Sequence, residues 1–97
     1  MVWVGTDLKF AININCEGFI MDEDDFKIVL VNGKRRLEFN KDDLVENDGT
    51  WYLCFNSEDI GAGDIDMIVY AYVPDGDFKD GYRTEIYKTA LCHLNNV

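Results

Sequence analysis

Two features of the chain predict an all-β fold. Apolar residues occupy alternate positions in Leu8, Phe10, Ile12, Ile14 and Cys16, against Lys9, Ala11, Asn13, Asn15 and Glu17. Such spacing makes a strand with one face on a core and the other in water. Similar runs recur along the chain, each closed by a turn signal rich in Gly, Asn or Asp, and no long segment repeats at helical spacing.

The elements follow in order. Val2 to Val4, ahead of Gly5, form either a short strand or a free arm. The first long strand is expected over residues 7–16. Glu17-Gly18 and the acidic run Asp22-Glu23-Asp24-Asp25 then read as a loop. In the next strand, residues 26–31, Phe26, Ile28 and Leu30 share one face while Val29 and Val31 make the other apolar too, which marks a central strand. Asn32-Gly33 is the strongest hairpin signal, because both central positions of a type I′ turn need positive φ. It joins that strand to residues 35–39, after which Asn40 to Asp43 make a bend or one helical turn. Asn47-Asp48-Gly49 marks a second hairpin, leading into a strand with Trp51, Leu53 and Phe55 facing inward.

The segment from Ser57 to Gly63 is too short and too Gly-rich for a stable helix. It reads as a crossing loop with one turn that carries the chain between sheets. Residues 65–73 are the most apolar strand, with Ile65, Met67, Val69, Ala71 and Val73 on one face and Ile68, Tyr70 and Tyr72 on the other. Pro74 ends it by removing a donor. A loop from Asp75 to Gly81 follows, then a long final strand over residues 82–94 with a bend midway. About seven strands with regularly spaced turns are the signature of an antiparallel sandwich or small barrel. A single immunoglobulin-like β-sandwich spanning residues 1–97 is the expected form.

Composition narrows the function classes. At 47% hydrophobic and 29% charged, the 97 residues match an ordinary folded domain rather than a disordered chain. No run approaches the ~18 apolar residues of a membrane span. The start, Met-Val-Trp-Val-Gly-Thr-Asp, has no basic region and no cleavage pattern, so a cytoplasmic product is expected. The net charge of −10 disfavours direct contact with nucleic-acid phosphates, which need clustered Lys and Arg. The one tight basic group, Lys34-Arg35-Arg36, reads as a solvated hairpin shoulder. The acidic balance keeps a small protein soluble and steers it toward basic partners. A sharper alternative is mimicry of nucleic acid, although the acids form no regular row in sequence.

Chemistry-bearing residues are sparse. Cys16, Cys54 and Cys92 are odd in number, lack a C-x-x-C pair and lie in strand-like runs, so they read as small buried hydrophobes. The single histidine, His93, follows Cys92, and strand neighbours point to opposite faces, which prevents a Cys–His pair. Ser57 is the only serine, and no nucleophile-elbow motif surrounds it. One histidine leaves no multi-histidine metal site. Asp75-Gly76-Asp77-Phe78-Lys79-Asp80-Gly81 resembles a calcium loop on its surface, but an EF-hand register puts Lys79 and Ile86 where ligands belong. No catalytic residue, cofactor or metal site is therefore expected. A carbohydrate- or Ca²⁺-binding module stays open as an alternative.

The surplus lies in the aromatics. Trp3, Tyr52, Tyr70, Tyr72, Tyr82 and Tyr87 cannot all fit one inner face. Outward Tyr and Trp serve as anchors for protein partners, as cross-strand pairs, or as stacking platforms for sugars. The candidate interface residues are Val2, Trp3 and Val4 on the arm, with Tyr70 and Tyr72 on the apolar strand.

A resemblance adds a context. The strings Trp51-Tyr52-Leu53-Cys54-Phe55-Asn56-Ser57, Gly61-Ala62-Gly63 and Ala71-Tyr72-Val73-Pro74-Asp75-Gly76-Asp77-Phe78-Lys79-Asp80-Gly81-Tyr82-Arg83-Thr84-Glu85, with Asp7-Leu8-Lys9-Phe10 near the start, resemble small virion-associated proteins of phages and prophages of gut Bacteroides. The order of strand, Gly-containing crossing loop, apolar strand and acidic loop is also distantly similar to the N-terminal β-sandwich domain of lactococcal phage baseplate upper proteins. The resemblance spans most of the chain, rests on turns and core positions, and carries no catalytic residue. It implies a structural part of a head, neck or tail, made in the cytoplasm and then virion-associated. Its partners would be other virion subunits or further copies of itself, with no direct nucleic acid and no membrane.

Overall fold

The computed structural model describes residues 2–96. Eight strands run in the order β1 (Val2–Trp3), β2 (Asp7–Ile12), β3 (Phe26–Asn32), β4 (Arg35–Asn40), β5 (Val45–Asn47), β6 (Thr50–Asn56), β7 (Gly63–Pro74) and β8 (Tyr82–Asn95). Single 3-10 turns at Lys41–Asp43 and Ser57–Asp59 carry the chain between sheets. One sheet has five strands in the order β1-β8-β7-β3-β4, and the other has three in the order β2-β6-β5. Every described pairing is antiparallel except β1 with β8. Taking β2, β6 and β5 as B, E and D, and β8, β7, β3 and β4 as G, F, C and C′, both orders are those of an immunoglobulin-type sandwich.

Alternation places the core. Phe26, Ile28 and Leu30 of β3 and Ile65, Val69, Ala71 and Val73 of β7 are buried on the inner face of the larger sheet. Leu53 and Phe55 of β6 and Ile12 at the end of β2 face them from the smaller one, and Ile60 from the crossing loop fills the space below. β3 is central, between β7 and β4, and Val29 on its outer face is also fully shielded.

Several details differ from the sequence reading, each for a tertiary reason. The alternation from Leu8 to Cys16 keeps its inward face, since Ile14 is buried and Cys16 half-buried, but the ladder stops at Ile12. Its partner β6 begins at Thr50, one residue beyond the Trp51 that opposes Ile12, so β6 runs out opposite residue 13 and leaves residues 14–16 nothing to pair with. The first hairpin turns one residue later than Asn32-Gly33. Asn32 pairs with Arg35, leaving Gly33 and Lys34 as the central residues, and only Gly33 has positive φ, +57°. That is the pattern of a II′ turn rather than I′. The second hairpin is a I′ turn at Asp48 (φ +53°) and Gly49 (φ +83°). The bend in β8 is a bulge at Leu91, because Ile65 pairs with Cys92 while Asp66 pairs with Ala90. Cys54 is exposed rather than buried, as its neighbours Leu53 and Phe55 both point inward.

The N-terminal segment lies in its own sheet. Val2 and Trp3 pair in parallel with Leu94 and Asn95, and Val2 and Val4 pack against the core. The reason is long-range. Ser57 Oγ accepts from Gly5 N–H at 2.8 Å and donates to Trp3 O at 3.3 Å, and the Asn95 side chain donates to Val2 O at 3.0 Å.

Candidate protein-interaction face

The outer face of the five-stranded sheet follows from the register. Tyr70 stands between Lys27 and Ile86, Ile68 between Val29 and Lys88, and Asp66 between Val31 and Ala90. Tyr72 opposes Thr84, and Pro74 opposes Tyr82. The face is therefore an apolar and aromatic stripe running from Ile68 to Tyr82, with charge at its margins. Ile86, at 59% exposed, is its most open large apolar side chain, and Tyr82 is 41% exposed.

The stripe is held in place by its own contacts. Tyr72 and Tyr82 meet edge to face with centroids 5.3 Å apart, and Lys27 Nζ lies 4.6 Å from the Tyr70 ring centroid. Such arrangements fix ring orientation and bring cationic charge onto the aromatic surface. Lys27 also pairs with Glu38 at 3.4 Å, and Lys88 with Asp66 at 3.8 Å.

At the end of the stripe the loop between β2 and β3 and the β7–β8 hairpin enclose an open groove of about 500 Å³, lined by Glu23, Asp24, Asp25, Tyr72, Pro74 and Tyr82. Two tyrosines floor it and carboxylates form its lip. Arg83 ties its walls together, donating to Asp75 Oδ2 at 3.1 Å on the hairpin and to Glu17 O at 3.2 Å on the loop. Asp75 is held below its ordinary acidity range, first by the Asp77 backbone N–H and then by the Arg83 guanidinium. Its carboxylate is thus engaged within its own loop.

Three carboxylates of the acidic run 22–25 are engaged too. Asp22 accepts from Trp51 Nε1 at 2.9 Å, Asp24 Oδ2 from Ile20 N–H at 2.8 Å, and Asp25 Oδ1 from Phe26 N–H at 2.9 Å. Lys41 Nζ donates to Asp24 O at 2.9 Å. Among the described residues no three His, Cys, Asp or Glu side chains converge on a point that would hold a metal ion.

The five candidate interface residues do not share one surface. Tyr70 and Tyr72 lie on the outer face, half-buried in the stripe. Val2, Trp3 and Val4 sit at the opposite end of β8, where Trp3 alone is largely exposed, at 45%. Sequence reasoning missed Ile86, although alternation along β8 sets it with Tyr82 on the outward side. Tyr87 points to the inner side yet stays 43% exposed, because the three-stranded sheet does not reach under β8. Its hydroxyl donates to Glu85 Oε1 at 2.9 Å, and chiefly through that bond its pKa is pushed up to about 12.

Among the described residues, Ser57, Cys92 and His93 share no hydrogen bond with one another. Ser57 is buried and bonded to main chain, Cys92 has its thiol pKa raised by burial, and exposed His93 pairs through Nδ1 with Asp64 Oδ1 at 2.6 Å. No helix among the described residues is long and apolar enough to cross a membrane. No protein-family model, curated protein or solved structure matches the chain.

Proposed function

We propose that this chain is a non-enzymatic structural component of a phage or prophage particle, in the head, neck or tail, acting through protein–protein contacts. The observation that carries the contact role is the outer stripe of Tyr70, Tyr72, Tyr82 and Ile86, continuous with the acid-lipped groove at Tyr72 and Tyr82. Ordered tyrosines beside an exposed aliphatic residue are the composition of interface anchors. The carboxylates around the groove favour a partner segment that brings Arg or Lys next to an apolar anchor. The resemblance to virion-associated proteins supports the particle as the setting, with synthesis in the cytoplasm and incorporation afterward.

Density-gradient purification of particles from an induced host tests this reading. The expected result is a fixed copy number of the chain per particle, retained through a salt wash. Tyr72→Arg, which sets a cation on the stripe, should lower incorporation by about tenfold or more while leaving the fold intact. A chain that stays entirely in the soluble fraction while particles form normally overturns the proposal.

A further inference from the structure

β8 is long, and among the described residues most of its outer edge is bare. β8 pairs with β7 from Tyr82 to Leu94, whereas β1 covers only Leu94 and Asn95 on the other side. Neighbouring bonds fix which backbone groups face that edge. Asp75 N–H donates to Gly81 O at 2.9 Å at the foot of the hairpin, and Val4 N–H donates to Asn95 O at 2.8 Å at the far end. Antiparallel alternation then turns the amides and carbonyls of Arg83, Glu85, Tyr87 and Thr89 toward β7 and leaves those of Thr84, Ile86 and Lys88 pointing out. Pro74 agrees with this phase, since opposite Tyr82 no amide hydrogen is needed from it.

Charges usually blunt such an edge. Here they are already matched within the copy: Arg83 by Asp75 at 3.1 Å and Glu85 at 3.3 Å, and Lys88 by Asp66 at 3.8 Å. β8 also departs from the chain's acidity. Arg83 and Lys88 against Glu85 leave it at +1, so with a total of −10 the other residues carry −11. Another copy that approaches β8 with its own β8 therefore avoids the acidity carried by the rest of the chain. Beneath, an open groove of about 290 Å³ between Ile14 and the side chains of Met67, Val69 and Tyr87 leaves room for incoming side chains on the inner face.

Symmetry then selects the register. Opposed residues of an antiparallel pair lie on one face, so a two-fold axis relating two identical strands must pass midway between the two copies of one residue. An axis at Glu85 opposes two carboxylates, and an axis at Tyr87 sets Lys88 against Ile86. An axis at Thr84 sets Arg83 against Glu85 but pairs only residues 82–86 of β8. An axis at Ile86 pairs residues 82–90, setting Ile86 against itself, Thr84 against Lys88 and Glu85 against Tyr87, with no like charges directly opposed. Ile86 also presents both its N–H and its C=O outward, so the central pair exchanges two hydrogen bonds.

We propose that two copies pair β8 to β8, antiparallel and centred on Ile86, joining their five-stranded sheets edge to edge. The inference rests on the reading of the chain as a contact module and names a second copy as one partner. Light scattering behind size-exclusion chromatography, over about a hundredfold range of concentration, should show a dimer that forms by mass action. Ile86→Pro removes an N–H that faces away from β7, and Ile86→Lys opposes two cations on the axis. Both should be monomeric with an unchanged circular dichroism spectrum. Ile86→Cys should cross-link to itself on mild oxidation, well above the wild-type background from its native cysteines, because a hydrogen-bonded pair lies within disulfide reach. A wild-type monomer at every concentration, or a dimer that survives both substitutions, overturns the pairing. A monomer that still copurifies with particles would overturn the pairing alone and leave the virion role standing.

Discussion

The side-chain amide of Asn32 donates to the main-chain carbonyl of Ile60 at 3.0 Å, and with its second hydrogen to Ala62 O at 2.7 Å. Asn32 ends β3 in one sheet, and Ile60 and Ala62 belong to the loop arriving from the other. One side chain therefore fixes where the chain crosses, and it positions Ile60, fully buried beneath the core. Asn32→Ala leaves two carbonyls without this donor and should lower stability by about 1–3 kcal/mol in denaturant unfolding. Asn32→Asp should cost more, because it sets a carboxylate against the same two oxygens. Equal midpoints for all three chains would show that the crossing loop holds itself.

Ser57 does the same for the N-terminal strand. Its hydroxyl bridges Gly5 N–H and Trp3 O, and its own N–H donates to Thr6 O at 3.0 Å. Ser57→Ala should cost about 1–3 kcal/mol and raise amide exchange at Val4 and Gly5 before that of β7. Exchange that rises uniformly through both sheets would mean that β1 has no separate opening.

The Asp48-Gly49 turn isolates a backbone effect. An added Cβ on Gly49 meets nothing within 4 Å, so Gly49→Ala suffers only from its φ of +83°. The expected loss is about 1–2 kcal/mol. Gly76, also open and without positive φ, is the matched control. Gly76→Ala should stabilise by about 0.4–1 kcal/mol through the unfolded state.

Acid should loosen the groove before the core. Asp75 has its folded pKa lowered, first by the Asp77 N–H and then by Arg83, so its contribution is full above the ordinary value near 3.8. It is lost as pH falls through the lower folded value. Amide exchange at Asp77 and Gly81 should therefore accelerate below about pH 4, and Asp75→Asn should flatten that dependence. An Asp77 amide indifferent to pH in both chains would remove Asp75 from the hairpin's support.

Much of this was legible because it is local. Two residues that tolerate positive φ specify the Asp48-Gly49 turn, and period-two spacing places Tyr70 and Tyr72 outside while Phe26, Ile28 and Leu30 go inside. What escaped depends on partners distant in sequence. Asn32-Gly33 carries the same local signal as Asp48-Gly49, yet the amide of Asn32 is claimed by carbonyls about thirty residues away, and the turn slips by one residue. The end of β2 is set by the length of β6, and the place of Val2 and Trp3 by Ser57 and Asn95. Tyr87 stays exposed on the inner side through a mismatch between a five-stranded and a three-stranded sheet, which no single strand encodes.

The locked Asn32 amide also bears on how the molecule ages. Asn-Gly pairs lose ammonia when the following amide nitrogen attacks the side-chain carbonyl and closes a succinimide. In the folded chain Asn32 is extended within β3, and both its amide hydrogens are held away from Gly33 by the crossing loop. Ring closure then needs a molecule that has opened. Each passage through the unfolded state risks converting the amide to an acid, and the resulting carboxylate would face Ile60 O and Ala62 O when the chain closes again. Deamidation at this position would thus act as a chemical record of past unfolding, accumulating in the molecules least able to return.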